Sequence, residues 1–287
     1  MSIKHIVLCG GIYNGIYTVG ALKYLAEQEF YNINEIENIY GTSAGGFLGA
    51  LICLKEDWNT IANYIIERPW SKEMPFTPDM LFKMITNKGL LDDSFIKLVF
   101  IKLLKAKNLS ESVTLKEFYE YSQIKLFMFA TDINTFKVVE ISYETYPDML
   151  LLRAIYITCC IPFIFQPVYI NNTFLVDGGI LCNYPLDYCI RDGAKKDEIL
   201  GINFKTNFID ETIDEDINIL HYGYYIFRRM AGQTNVQSQH IILNQVTIPC
   251  DSTNIDTAIL IIKDKELRKK YIKKGEECGK QFIALKV

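Results

Sequence analysis

Two strand–turn–helix units follow one another within the first 54 residues, and that repetition constrains the fold more than any other feature of the chain. Residues 4–8 form a short apolar run that reads as a β-strand. The run meets the glycine-bearing segment Cys9-Gly10-Gly11-Ile12-Tyr13-Asn14-Gly15, and residues 16–30 then carry the periodicity of an amphipathic helix. Residues 36–40 read as a second strand, which meets Gly41-Thr42-Ser43-Ala44-Gly45-Gly46, and an apolar helix runs from Ser43 to about Leu54. Short apolar strands that alternate with helices pair in parallel and need cover on both faces. The expected fold class is therefore α/β, a three-layer α/β/α arrangement with a mainly parallel central sheet.

The rest of the chain extends this plan. Residues 58–122 look mainly helical, broken by Pro69, Pro75, Pro78 and Gly89, and include the apolar, lysine-rich stretch 94–109. Residues 125–131 and 137–142 read as strand, turn, strand around Asn134-Thr135, residues 174–176 and 199–204 as further short strands, and residues 263–285 as a charged amphipathic helix. With 287 residues, 49% of them hydrophobic, one core can serve the whole chain. A single domain over 1–287 is expected, with a helical cap at about 58–122 and a C-terminal helical segment at about 214–287.

A net charge of −4 without long single-sign runs argues against nucleic acid as a partner. No stretch approaches the roughly 20 apolar residues of a membrane span, and the N-terminus lacks the long apolar region of a signal peptide. The expectation is a cytoplasmic protein without a transmembrane anchor, any membrane contact being peripheral. Eight cysteines are scattered without a CxxC pair or neighbouring histidines, so they read as reduced, buried small side chains; no metal and no organic cofactor is expected. The oligomeric state is not fixed by any of this.

Gly41-Thr42-Ser43-Ala44-Gly45 fits G-x-S-x-G, which holds a serine exposed on a tight strand-to-helix turn and aims the first amides of the helix at an oxyanion formed there. The alternative is a serine that caps a buried helix. A serine nucleophile needs a base. His5 lies inside the first strand, leaving His221 and His240 for a Ser-His-Asp arrangement, but neither stands in a glycine-rich or turn-rich setting. Asp177, 134 residues after Ser43 (177 − 43), ends an apolar strand and precedes Gly178 and Gly179. A carboxylate among apolar residues is a candidate for a raised pKa; a plain Asp-Gly turn is the alternative. Gly10 and Gly11 can offer backbone amides to an oxyanion. The same segment lacks the Lys-Ser/Thr of a P-loop after Gly15 and a glycine at position 12, so nucleotide binding is a minor reading.

Taken in order, the glycine loop, the G-x-S-x-G turn and the Asp177-Gly178-Gly179 motif resemble the patatin-like phospholipase family. Ala130-Thr131-Asp132-Ile133-Asn134, the run from Arg153-Ala154-Ile155 through Ile161-Pro162-Phe163 to Pro167-Val168, and Asn183-Tyr184-Pro185 are similar to further family motifs, so the likeness spans about residues 4–200. The resemblance implies a Ser–Asp dyad without histidine. Ser43 would be the nucleophile and Asp177 the base, with Gly10, Gly11 and the amide of Ala44 forming the oxyanion hole and Gly15, Gly41, Gly45, Gly178 and Gly179 as motif glycines. It also implies hydrolysis of fatty acyl esters of phospholipids or lysophospholipids through an acyl-serine.

The family pattern has glycine where this chain has Ile12 and a basic residue where it has Asn14. If position 12 requires positive φ, a β-branched side chain there is strained and activity could fall or be lost. A catalytically silent lipid-binding protein therefore stands beside the first reading, and a Ser-His-Asp esterase on soluble esters, using His221 or His240, is a third. For a lipid substrate at a membrane surface, the lysines of 94–109 could dock on anionic lipid, although a cap helix with its lysines in water is the plainer reading. The 155–168 run could line an acyl pocket or be ordinary core.

Overall fold

The computed structural model describes residues 2–73, 86–207, 213, 215–234, 238 and 240–286. Pro75 and Pro78, expected to break the cap, lie outside the described residues, as do parts of the 214–287 segment.

In chain order the elements are β1 (His5–Leu8), α1 (Gly15–Glu27), β2 (Asn38–Thr42), α2 (Ala44–Cys53), α3 (Trp58–Glu67), β3 (Gly89–Leu91), α4 (Ser94–Ala106) and α5 (Leu115–Ser122). Next come β4 (Lys125–Asp132), β5 (Lys137–Ile141), α6 (Leu151–Thr158), β6 (Phe163–Phe165), β7 (Val168–Ile170), β8 (Thr173–Asp177) and α7 (Leu186–Arg191). The chain ends with β9 (Ile199–Asn207), α8 (Ile219–Thr234), β10 (Gln245–Asp251), α9 (Ile255–Lys263) and α10 (Lys265–Ala284). The main sheet runs β10-β9-β1-β2-β4-β8-β7, with β5 also paired to β4. Its first five strands are parallel, whereas β5, β8 and β7 are added antiparallel. The sheet is therefore mixed around a parallel half.

The period of two along each strand splits its side chains between unequal layers. Ile6, Leu8, Ile39, Leu126, Met128, Leu200 and Ile202 enter a large core beneath α1, α2, α4, α6 and α10. Val7, Tyr40, Phe127, Phe129 and Ile199 face a smaller one closed by Leu186 and Cys189 of α7. The thick side is where the cap lies, with Ile96, Val99, Phe100 and Leu104 of α4 buried in it. Seven cysteines are buried and Cys159 is half-buried, all as free thiols.

Three expectations change. The region 58–122 includes the strand β3, which pairs with β6 in a small second sheet. The 214–287 segment is not helical throughout, because β10 adds an edge strand to the main sheet. Its Pro249 is tolerated there since an edge strand leaves one row of amides unpaired in any case. The second strand ends at Thr42, so only Ser43 separates strand from helix.

Candidate active site

The register of β4 brings the two motif residues together. On β4, Met128–Asp132 pair with β5 and Lys125–Phe129 with β2, so β5 and β2 occupy opposite edges. β8 pairs with Ala130–Asp132, whose other edge β5 already takes, and it must therefore lie on the β2 edge, beyond the end of β2. Thr42 is paired with Phe129 and Asp177 with the next residue, Ala130. Two antiparallel strands thus meet end to end at Ser43 and Asp177.

Ser43 adopts φ 53° and ψ −122°, outside the regions an L-residue favours, and its side chain makes no capping bond to α2. That conformation removes the helix-capping alternative and fits a strained nucleophile turn. The turn is possible because its two strands of backbone nearly touch: a Cβ on Gly41 would stand 2.4 Å from the Gly45 carbonyl, and one on Gly45 would stand 2.3 Å from the Leu8 oxygen. The Ser43 amide donates to Thr158 Oγ1 at 3.0 Å, and that hydroxyl donates to the Phe129 carbonyl at 2.7 Å. Thr158, fully buried, fixes the turn from α6. Nothing in the sequence near Ser43 singles it out.

Asp177 is 1% exposed. Its backbone is held on both sides, the amide donating to the Cys160 carbonyl at 2.8 Å and the carbonyl accepting from Thr131 Oγ1 at 3.1 Å. Oδ1 accepts from the Gly179 amide at 2.7 Å, whereas Oδ2 is buried without a partner at full hydrogen-bond geometry. Burial pushes the Asp177 pKa up to about 7; the Ser43 hydroxyl beside it and the Gly179 amide pull the other way. A carboxylate so placed can accept a proton near neutrality.

The glycine loop lies under Ser43, a Cβ on Gly10 being 3.2 Å from Ser43 Cβ. The Gly10 amide, expected to face an oxyanion, donates instead to the Asn183 carbonyl at 2.9 Å, and Asn183 Nδ2 donates back to the Gly10 carbonyl at 3.3 Å. The Gly10 amide is thus tied into its support rather than turned toward Ser43. Ile12 has φ 50°, the left-handed conformation that a β-branched side chain resists. Asn14 is buried and donates Nδ2 to Cys250 Sγ at 3.3 Å, bracing the loop from below. Gly15 opens α1 against Ala44, and Gly178 packs on the Phe129 carbonyl.

These residues open into a cleft of about 720 Å³, lined by the loop, Ser43, Asp177, Tyr224, Phe227 and Arg228 among others. His240 also lines it but is exposed, and its ring bonds neither Ser43 nor Asp177; His221 lies elsewhere, its ring 2.9 Å from Asn218 Oδ1 and 3.4 Å from Asp256. Of the 155–168 run, Ile155 and Ile157 are core, Phe165 packs on that core, and Ile161 lines the cleft. Among the described residues no cluster of three or more His, Cys, Asp or Glu side chains is arranged for a metal, and no helix is long and apolar enough to cross a membrane.

A model of the patatin-like phospholipase family matches residues 6–190. The chain is 30% identical over 197 residues to a probable lipid hydrolase of Invertebrate iridescent virus 6, covering 68% of this chain and 66% of that one. It is 24% identical over 205 residues to an uncharacterized protein of Acanthamoeba polyphaga mimivirus, covering 71% and 66%. The chain thus spans 66% of the length of the curated relatives it matches. Its fold is similar to that of VipD from Legionella pneumophila, with TM-score 0.58 and 15% identity over 99% of this chain and 67% of that one. It is also similar to ExoU of Pseudomonas aeruginosa in its complex with SpcU, with TM-score 0.55 and 15% identity over 98% of this chain and 51% of that one.

Proposed function

Because the chain belongs to the patatin-like phospholipase family, we propose that it is a lipid acyl hydrolase in which Ser43 attacks fatty acyl esters of phospholipids or lysophospholipids and Asp177 serves as the base. The observation that carries this reading is the meeting of a strained, uncapped serine with a buried carboxylate whose pKa is raised to about 7.

In the first step Asp177 takes the hydroxyl proton as Ser43 Oγ bonds to the ester carbonyl carbon. Negative charge gathers on the carbonyl oxygen, where the amides of Gly11 and Ala44 receive it at the N-terminal end of α2. Collapse expels the alkoxide of the lysophospholipid, or of the glycerophosphodiester when a lysophospholipid is the substrate, which takes the proton back from Asp177 and leaves acyl-Ser43. Water, deprotonated by Asp177, then attacks the acyl carbon, and collapse breaks its bond to Ser43 Oγ, which takes the proton back from Asp177 as the fatty acid leaves. The reaction needs no metal or organic cofactor. Gly10 and Asn183 act by holding the loop, and Thr158 by holding the turn. The chain acts as one patatin-like domain, since β9 and β10 complete the sheet and α10 packs on α1.

The test is labelling by a fluorophosphonate and release of fatty acid from phospholipid vesicles by wild type, Ser43→Ala and Asp177→Ala. Labelled, active wild type with two silent variants supports the dyad; activity that survives in either variant rules it out. The positive φ of Ile12 favours one second reading, a lipid-binding protein without turnover. It predicts an unlabelled wild type that still binds lipid.

A further inference from the structure

One wall of the Ser43 cleft is polar, and its donors and acceptors are unequally used. Leu200 and Ile202 of β9, with Val246, Ile248 and Cys250 of β10, enter the large core. The period of two therefore turns Asn203, Lys205, Gln245 and Thr247 to the opposite face, where Leu186 and Cys189 of α7 pack with Val7 of β1 and Tyr40 of β2. β9 and β10 lie beyond that cover, and the four polar side chains line the cleft.

Tyr184 fixes this wall. A Cβ on Gly201 would stand 2.0 Å from the Tyr184 hydroxyl oxygen, so glycine there lets the tyrosine lie across β9. The hydroxyl donates to Gln245 Oε1 at 3.2 Å, and Gln245 Nε2 donates to Thr247 Oγ1 at 3.2 Å. Asn203 Oδ1 accepts from the Phe204 amide at 2.8 Å. The side-chain oxygens of Asn203, Gln245 and Thr247 thus already accept within the protein. Asn203 Nδ2, the Thr247 hydroxyl proton and the Lys205 ammonium donate to no described residue, and Lys205 is exposed without an ion pair. What the wall still offers is donors, one of them a cation.

No carboxylate opposes them from within the cleft. Asp177, the proposed base, is the one carboxylate among the described residues that line it. Asp187, at its border, accepts from Ser238 Oγ, and Asp197 meets Asn244 through its backbone carbonyl at 2.8 Å. The span suits a lipid head group. β9 is two strands from β2, about 10 Å away. In a glycerophospholipid four atoms separate the ester carbon from phosphorus, roughly 6 Å when extended, and the phosphate oxygens and the lysine side chain cover the remainder. A neutral glyceride has no anion to place there, and an ammonium head group needs acceptors that the wall has already used.

We propose that Asn203, Lys205 and Thr247 form the head-group subsite of the Ser43 cleft and select a phosphate whose head group carries no cation, as in phosphatidylglycerol, over phosphatidylcholine and neutral glycerides. Asn203 Nδ2 and the Lys205 ammonium donate to the phosphate oxygens, and the Thr247 hydroxyl donates to a polyol oxygen beyond them. The proposal deepens the hydrolase reading and rests on it for its purpose, but not for its test.

The full chain carrying Ser43→Ala, in which chemistry plays no part, is titrated calorimetrically with dihexanoyl phosphatidylglycerol, dihexanoyl phosphatidylcholine and dihexanoylglycerol, each kept monomeric. The expected result is that phosphatidylglycerol binds roughly tenfold more tightly than either of the others, a preference that weakens with salt. Asn203→Asp keeps the acceptor for the Phe204 amide and removes the donor, and Lys205→Gln removes the charge; each narrows the preference to about twofold or less. Lys205→Arg retains it, and Lys280→Gln on α10, outside the cleft, leaves it unchanged. Should Asn203→Asp lower the unfolding midpoint, Thr247→Val takes its place. No binding of phosphatidylglycerol, equal affinity for the three lipids, a preference that survives the subsite variants, or inorganic phosphate that binds as tightly as the lipid overturns the proposal. Fluorophosphonate labelling of wild type reports separately on the hydrolase reading: an unlabelled protein that still shows the preference keeps the subsite and loses the enzyme.

Discussion

At Asp177, burial sets activity and stability in opposite directions. The base must be ionised to take the Ser43 proton, so kcat/KM on a soluble ester should rise with pH through a single step near pH 7 and then level off. The folded protein holds this proton up to about pH 7, whereas an unfolded aspartate releases it near 3.9. Across that window the folded state binds the extra proton, so stability falls as pH rises and the burial cost is complete above it. Asp177→Asn should lose turnover by on the order of a thousandfold. It should also be more stable than wild type above about pH 7, by on the order of 4 kcal/mol, the gap closing below about pH 4. Denaturant unfolding at both ends of the window checks this, and an equal gap at both would refute it. Ile12 stores strain of another kind. Ile12→Gly should speed fluorophosphonate labelling and stabilise the fold by about 1 kcal/mol, because glycine accepts φ 50° without a Cβ clash; slower labelling would mean that the isoleucine side chain shapes the loop. The proposed pair Ser43 and Asp177 can be picked out in the sequence because their signatures are local, a glycine-flanked serine and a strand-ending aspartate. The use of the Gly10 amide by Asn183, and the support of Ser43 by Thr158, depend on residues more than a hundred positions away, and no local pattern carries them.

Among elements, the parallel half of the sheet was readable because each strand is a compact apolar run bounded by glycine or polar turns. β10 was not, since Pro249 interrupts a pattern in which only Val246, Ile248 and Cys250 are buried. The antiparallel insertion of β8 beyond the end of β2 was equally hidden, although it is what brings Asp177 to Ser43; strand pairing is a tertiary fact that alternation along one strand does not encode. The close packing of the first helix on the last was hidden too. α1 and α10 approach so nearly that a Cβ on Gly20 would lie 1.9 Å from the Ile272 carbonyl oxygen, and one on Gly275 2.0 Å from that of Tyr17. Both neighbours are backbone and cannot swing away. Gly20→Ala should therefore destabilise the protein by about 3 kcal/mol despite the better helix propensity of alanine, read as a lower denaturant midpoint with an unchanged slope. An unaffected midpoint would mean that the two helices can separate at little cost.

For the whole molecule, the family match and the folding unit have different boundaries. The match ends at residue 190, after every residue of the proposed dyad and its oxyanion donors. Yet β9, at residues 199–207, is the parallel neighbour of β1, and β10 pairs with β9 in turn. Removing residues 191–287 would leave β1 as a bare edge and strip α10 from α1, uncovering Tyr17, Ala21 and Leu25, which are buried in the large core. It would also take away Tyr224, Phe227 and Arg228, and with them one wall of the cleft. A chain cut after residue 190 should contain all the proposed chemistry and still fail to fold, because an exposed hydrophobic edge strand and an uncovered helix face favour aggregation over a closed core. The expected outcome is insoluble protein, or soluble protein without a cooperative thermal transition and without fluorophosphonate labelling. A soluble, cooperatively melting, labelled fragment would show instead that the C-terminal third serves the cleft rather than the sheet, and the single-domain reading would have to give way to a catalytic unit with an appended one.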